Sequence, residues 1–175
     1  MENRNEFQEH LKNILNHINR TYKDDIASLF TITLGDEFQG LMHCGSHIMD
    51  IIYYIKKEAH PIQIRFGIGI GSISTQIDAS ISIGADGPAY YCARDCIEQL
   101  KLKEKKKENG VGDIEIKIED QHYCHEMTMN SIFRLMYSIE NNWTQRQKSI
   151  IDHIIIYNET QTQTAKYFNV TQSKI

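Results

Sequence analysis

Apolar residues recur at three- and four-residue steps from Asn3 to about Tyr22, where Phe7, Leu11, Ile14, Leu15, Ile18 and Tyr22 share one face and predict an amphipathic helix. After Asp24-Asp25 the period falls to two. Leu29 to Met42 alternates and is broken in its middle by Gly35-Asp36, the pattern of a β-hairpin around a Gly-Asp turn. A second helical stretch, from about Ser46 to Ala59, turns Ile48, Ile51, Ile52 and Ile55 inward and stops before Pro61. Ile62 to Ile73 reads as a long strand with Ile62, Ile64, Phe66, Ile68 and Ile70 on one face, while Gly67, Gly69 and Gly71 leave the other face bare. Such a bare face accepts either a ligand or a closely packed helix.

Ser74 to Ser82 is polar and without period, and leads into Ile83-Gly84-Ala85-Asp86-Gly87-Pro88. Pro88 suits the first turn of a helix and Asp86 is placed to cap it. That helix runs to about Lys106 and is expected to bury Ala89, Ala93, Ile97 and Leu100. Asn109-Gly110-Val111-Gly112 turns the chain into a strand, Asp113 to Ile118, in which Ile114, Ile116 and Ile118 alternate with charges. From about Glu126 the period is helical through Ile132, Leu135, Met136 and Ile139 to Asn141, with a boundary expected at Asn141-Asn142. Trp143-Thr144 then starts a helix with Ile150, Ile151, Ile154 and Ile155 inward.

The last stretch, Thr160 to Ile175, reads as a short helix, a tight turn at Asn169-Val170 and a second helix capped by Thr171. This is the outline of a helix-turn-helix, with Ala165 at the close contact of the two helices and Thr171, Gln172, Ser173 and Lys174 where a recognition helix meets DNA. The other use of such a helical pair is oligomerisation, as in a homodimer.

Composition narrows the classes. With 175 residues, 41% apolar and 24% charged, the chain suits one medium domain with a small appendage. A net charge of −4 and a pI near 6.0 exclude a surface built wholly for nucleic acid, and the lysine-rich block is confined to Lys101–Lys107. No apolar run approaches the ~20 residues of a membrane span, and Met1 to Glu6 has no apolar core of a signal peptide, so a cytoplasmic protein is expected. The four cysteines form no CxxC pair, and Cys92 and Cys96, one helical turn apart, read as small core residues. His43, Cys44 and His47 with His122, Cys124 and His125 lack the spacing of a zinc site. Gly67-x-Gly69-x-Gly71 likewise has the wrong third spacing for a dinucleotide fingerprint.

The chemistry of most interest lies at the hairpin tip. Asp36 and Glu37 are adjacent carboxylates beside a glycine that permits close approach, and such groups hold a hard cation such as Mg²⁺. Gly35-Asp36 are equally good turn formers with no ligand at all.

Leu34-Gly35-Asp36-Glu37-Phe38 resembles the signature of GGDEF-type nucleotide cyclases, with Leu34 in place of its first glycine. Arg65-x-Gly67-Ile68-x-x-Gly71-x-Ile73 resembles the R-x-G-I-x-x-G stretch of class III cyclases, and Ala85-Asp86-x-x-x-Tyr90-x-Cys92-Ala93-Arg94 resembles the A-D-x-x-x-Y-x-A-K helix of GGDEF domains. Taken with the terminal helix-turn-helix, nearly the whole chain resembles the SatD family of bacterial proteins. The resemblance implies an α+β fold. Its first part, 1–122, would be a ferredoxin-like cyclase palm (βαββαβ without its first strand), followed by a connecting helix, 123–142, and an all-α helix-turn-helix segment, 143–175. It also implies a nucleotide held by Gly35, Asp36, Arg65 and Asp86, Mg²⁺ held by Asp36 and Glu37, and DNA as a partner of the terminal segment.

The cyclases' transition-state Asn and Arg fall on Tyr91 and Asp95, which can play neither role, so a regulator that binds a nucleotide is the first expectation, with an active nucleotidyl cyclase or related phosphoryl-transfer enzyme and a non-catalytic scaffold as the alternatives. The cyclases' other metal carboxylate comes from the end of the first strand, at the centre of the palm sheet. The expectation is therefore a chain shortened at its N-terminus, or a sheet completed in trans, and a helix-turn-helix shortened at its C-terminus.

Overall fold

The structure is a computed structural model that describes residues 2–108, 110–120 and 123–172. The elements run α1 (Glu2–Thr21), β1 (Ile26–Ile32), β2 (Phe38–Met42), α2 (Ile48–Ala59), β3 (Phe66–Ile70), α3 (Pro88–Lys105), β4 (Ile114–Ile118), α4 (Tyr123–Asn141), α5 (Gln145–Tyr157) and α6 (Gln161–Tyr167). The fold is α+β, with all strands in the first two thirds and helices alone after β4.

One apolar core gathers the inward faces. The α1 stripe supplies Leu11, Ile14, Leu15 and Ile18, α2 supplies Ile51, Ile52 and Ile55, and Phe66, Ile114 and Ile116 come from the strands. Phe133 of α4 joins them, so the helix after β4 packs on this core. Phe7 and Tyr22 close the two ends of the α1 stripe, half-buried, as its period requires.

The four strands form two sheets, not one. β1 and β2 pair antiparallel, with Ile32 opposite Phe38 and two register shifts between Ile26 and Thr31. β3 and β4 pair parallel, Phe66 to Ile114 through Ile70 to Ile118, joined by the α3 crossover. No hydrogen-bonded pairing joins β2 to β3 among the described residues. The first side chains of these two strands nevertheless meet, with the Phe38 and Phe66 rings edge-on at 6.2 Å.

Several expectations are corrected. The strand expected over 62–73 is only Phe66–Ile70. Ile62 donates its amide to the Ala59 carbonyl (2.9 Å), which wraps the chain around the end of α2, and beyond Ile70 the Ser72 amide is drawn to the Glu119 carboxylate (2.6 Å). Asp86 does not cap α3. The N-cap is Gly87, at φ 148°, with Pro88 at the first helical position, and the Asp86 carboxylate instead accepts from the Tyr91 hydroxyl (2.7 Å). The buried stripe of α3 is Ala89, Cys92, Cys96 and Leu100, with Ala93 and Ile97 at its half-buried margin. In α5, Ile155 is exposed and His153 is buried in its stead. Cys92 and Cys96 are small core residues as expected, and burial pushes the Cys96 thiol up to about 12.

The bare face of β3 is filled by a helix. A Cβ on Gly67 would overlap the Ala93 carbonyl, one on Gly69 would overlap the Ala89 carbonyl, and one on Gly71 would sit 3.0 Å from the Ala89 amide. The glycine row exists so that the α3 backbone can lie directly on the strand. The polar stretch 74–82 also has a place, across the hairpin. Ser28 Oγ donates to the Asp78 carbonyl (2.5 Å) and Ser82 Oγ to the Gln39 carbonyl (3.0 Å), with both serines fully buried.

Candidate functional site

Leu34 to Glu37 is a tight turn in which the Glu37 amide reaches the Leu34 carbonyl (3.0 Å) and the Thr33 amide reaches the Glu37 carbonyl (2.9 Å). Gly35 takes φ 65° at the first central position, which a side chain would strain. Gln8 of α1 donates to the Gly35 carbonyl and anchors the tip to the first helix. Asp36 and Glu37 are exposed. An open cleft of about 400 Å³ runs between α1 and the tip, lined by Asn5, Gln8, Glu9, Lys12, Ile32 and Gly35.

Two of the expected ligand residues converge on α3. Glu37 pairs with Lys101 at 3.1 Å, and Arg65, just before β3, pairs with Glu104. Lys101 and Glu104 stand three apart, neighbours on one helix face. The hairpin tip and Arg65 thus meet the same end of α3. Both ion pairs are about half exposed, so each contributes little and can be exchanged for a ligand's charge.

Asp86 lies elsewhere. Its carbonyl accepts the Ser74 amide (2.8 Å) and its amide donates to Thr75 Oγ1 (2.9 Å), which fixes it beyond the C-terminal end of β3. Arg65 precedes the other end, and five residues at ~3.3 Å each separate the two by roughly 17 Å. Around Asp86 the polar groups are already matched. The Tyr91 hydroxyl is held up from its ordinary pKa by its hydrogen bond to Asp86, Asp95 pairs with Lys117, and Glu119 takes the Ser72 amide and hydroxyl. The residues at the two substituted cyclase positions, Tyr91 and Asp95, are therefore bound to neighbours at this end.

A second cavity, about 300 Å³, lies between the end of α2, the starts of β3 and β4, and α4–α5. Lys56 bridges Asp113 (2.7 Å) and Glu140 there, with all three side chains largely buried. Burial pushes the Lys56 ammonium down, but the hydrogen bonds it donates to Asp113 and Glu140 outweigh that and its pKa ends above the ordinary value. Tyr53 donates to Asp152 and ties α2 to α5, and its phenol is raised, first by burial and then by that bond. Nothing in the sequence marks this cluster, because each member is a residue type that also occurs on any solvated helix face.

The terminal helices are built from two capping boxes. Thr144 with Gln147 starts α5 and Thr160 with Gln163 starts α6, each threonine accepting the third amide while the glutamine side chain reaches back. α6 ends as a Schellman turn. The Val170 amide bonds the Ala165 carbonyl (2.9 Å), the Asn169 amide bonds the Lys166 carbonyl (3.2 Å), and Asn169 takes φ 52°. Thr164 and Ala165 are buried against α5, and His153 is enclosed by Tyr157, Tyr167 and Phe168 with the Glu159 carboxylate 3.5 Å from its Nδ1. Thr171 and Gln172 come directly after the turn, whereas Ser173 and Lys174 lie outside the described residues.

Of the histidines and cysteines considered for zinc, His47 pairs with Asp25 (2.8 Å), Cys44 and Cys124 are exposed, and His122 lies outside the described residues. Among the described residues no three His, Cys, Asp or Glu side chains are grouped to hold a metal, and no helix is long and apolar enough to cross a membrane.

In comparisons with known proteins, the model of the SatD family matches residues 1–175. No curated protein and no solved structure matches the chain.

Proposed function

This chain belongs to the SatD family, and from that premise we propose that it is a nucleotide-responsive regulator. The α5–α6 segment, together with the residues C-terminal to it, recognises DNA, and the hairpin tip takes a nucleotide with Mg²⁺. The observation that carries the reading is the Schellman turn at Asn169. It stops a seven-residue helix sharply and redirects the chain at Val170, just before Thr171, the residue expected from the sequence to cap a second helix, and this supports the helix-turn-helix reading.

For the ligand half, support comes from what meets at the tip. Asp36 offers a hard oxygen donor, and Arg65 and Lys101 stand on the same end of α3 in pairs weak enough to open toward phosphates. Mg²⁺ is commonly held by one or two carboxylates together with substrate phosphates rather than by a full protein cage. Asp36 with a bound phosphate fits that pattern, while Glu37 neutralises Lys101 until a ligand arrives. When bound, the ion would neutralise phosphate charge. Asp86 takes no part in this reading, because it is held at the far end of β3.

Calorimetry of the chain with ATP and GTP in the presence of Mg²⁺ tests the ligand half, with Asp36→Asn as the paired variant. Heat of binding that the variant loses is the expected result, and no binding to either protein refutes it. Gel-shift titration against duplex DNA at rising salt tests the other half, with affinity expected to fall as phosphate contacts are lost. A specific observation favours a second reading, a scaffold without ligand. The two turn hydrogen bonds and the positive φ of Gly35 already account for Gly-Asp as a turn. In that case Asp36→Asn with Glu37→Gln leaves the regulatory phenotype unchanged.

A further inference from the structure

The cavity of about 300 Å³ between the end of α2, the starts of β3 and β4 and the α4–α5 junction has the size and the mixed walls of a small-molecule site. Leu100, Ile64 and Val111 give it apolar surface, and Tyr53, Tyr137 and Trp143 give it aromatic rings. Trp143 stands in the short link between α4 and α5, where its amide bonds the Glu140 carbonyl (3.2 Å).

The charges of the walls do not cancel. Arg65 is taken by Glu104, and Lys57 by Glu58 (3.3 Å) just outside the lining. That leaves two cations, Lys56 and Lys148, against three acids, Asp113, Glu140 and Asp152, a net charge of −1. Lys56 alone serves both Asp113 (2.7 Å) and Glu140, while Asp152 receives only the Tyr53 hydroxyl. Lys148, half-buried, makes no ion pair among the described residues. One oxygen each of Glu140 and Asp152 has no hydrogen-bond partner among those residues, and neither has the buried Oδ1 of Asp113. Two neighbouring groups register this excess of negative charge. Burial lowers the Lys56 pKa, yet Asp113 and Glu140 carry it above its ordinary value, and Tyr53 is raised by burial first and then by Asp152 and Glu140.

We propose that this cavity binds a small organic monocation, a primary ammonium on a flat or apolar body. The ammonium donates to the open oxygens of Glu140 and Asp152, and the body lies against Tyr137 and Trp143, whose ring faces attract a cation. An anion of the same shape is repelled, and a neutral isostere forgoes the charge-assisted bonds. An occupant that joins Glu140 of α4 to Asp152 of α5 would clamp α5 where Tyr53 of α2 already ties it. The site shares only the Arg65–Glu104 pair with the surroundings of the hairpin tip and does not rest on the nucleotide and DNA reading.

The test is NMR titration of the full chain, read at the indole N–H of Trp143, which as the single tryptophan gives a single resonance. The probes are phenethylammonium, its neutral counterpart 2-phenylethanol and the anion 3-phenylpropanoate. Expected are a saturable shift with phenethylammonium, an affinity at least about tenfold above that for phenylethanol, and no saturable shift with phenylpropanoate. Asp152→Asn keeps the size of the side chain and an acceptor for Tyr53 while removing the charge, and should weaken ammonium binding about tenfold or more without changing that of the alcohol. Lys148→Met removes the competing cation and should tighten ammonium binding about threefold, a gain that an unfolded chain could not give. Asp36→Asn at the tip should leave all three titrations unchanged, which separates this outcome from that of the ATP and GTP calorimetry. The proposal is overturned by the absence of a saturable shift with phenethylammonium, by equal affinity for ammonium and alcohol, by tighter binding of the anion, or by unchanged ammonium affinity in both Asp152→Asn and Lys148→Met.

Discussion

The row Gly67, Gly69, Gly71 and the tip Gly35-Asp36 both look, as sequence, like places where a ligand could approach a bare backbone. In the folded chain the row is closed and the tip is open. The row is closed because a strand without side chains lets the α3 backbone settle onto it until the backbone at Ala89 and Ala93 occupies the space of three missing Cβ atoms. The tip is open because Gly35 is used for its dihedral freedom, φ 65°, and not for close packing. Glycine thus serves two unlike purposes, and only the second leaves room for chemistry.

The sharpest way to break that contrast is Gly69→Ala. The added methyl meets main chain, which cannot move aside, so a loss of about 3 kcal/mol or more is expected, read as a collapse of the cooperative thermal transition. Next comes Lys56→Met, which strands Asp113 and Glu140 beside the second cavity. A cost of about 2–3 kcal/mol is expected in urea titration at neutral pH, below the cost of breaking a fully buried pair because all three groups keep some solvent contact. The Lys56 pKa is raised in the fold, so this stabilisation is fully present below the unfolded value of 10.5 and is lost as pH rises through the folded pKa. The wild-type chain should therefore lose stability above pH ~10.5 more steeply than Lys56→Met; parallel curves would mean the triad is not coupled to folding.

Gly35→Ala is the milder counterpart at the tip. Its cost is that of a positive φ alone, about 1–2 kcal/mol, and a cost equal to that of Gly69→Ala would dissolve the distinction. Asn130→Ala uncovers both main-chain groups of Ile116, with about 1 kcal/mol lost and faster exchange confined to β4. The smallest effect belongs to Asp36→Asn. An exposed carboxylate should change the melting transition by no more than about 0.5 kcal/mol, so that loss of nucleotide binding in this variant reads directly on the site.

The helices were legible because a 3.6-residue period survives most details of what a face meets. The face itself was legible only in part, since in α4 the periodic Ile132, Leu135 and Ile139 are exposed and Phe133 is the buried residue. Leu11, Ile14, Leu15 and Ile18 are all buried as their spacing required. The helix start at Trp143-Thr144 and the turn at Asn169 were legible too, since helix ends and left-handed turns are settled within a few residues. Less legible was the length of β3. The alternation from Ile62 to Ile70 is continuous, yet the chain bends away before Phe66 toward Ala59 and after Ile70 toward Glu119, partners around a turn or far along the chain. Ile155 and His153 exchanged places for a similar reason. An isoleucine in an inward stripe stays exposed when α6 covers a different part of the helix, and the ring of His153 fills the space between Tyr157, Tyr167 and Phe168.

The candidate site divides in the same way. The sequence alone determined the Gly-Asp turn, its two carboxylates and the short helix with its sharp stop, because each depends on neighbours within one turn of chain. Whether four proposed nucleotide ligands form one site was a matter for the tertiary structure. Strand β3 carries Arg65 to one end of the sheet and leaves Asp86 at the other, and the crossover helix α3 returns Lys101 and Glu104 to the tip. The Lys56 triad, the Asn130 side chain that covers Ile116 and the helix filling the glycine row were also decided there. Each of these depends on backbone groups and charges that the fold brings together from separate elements, and no local pattern encodes such a meeting.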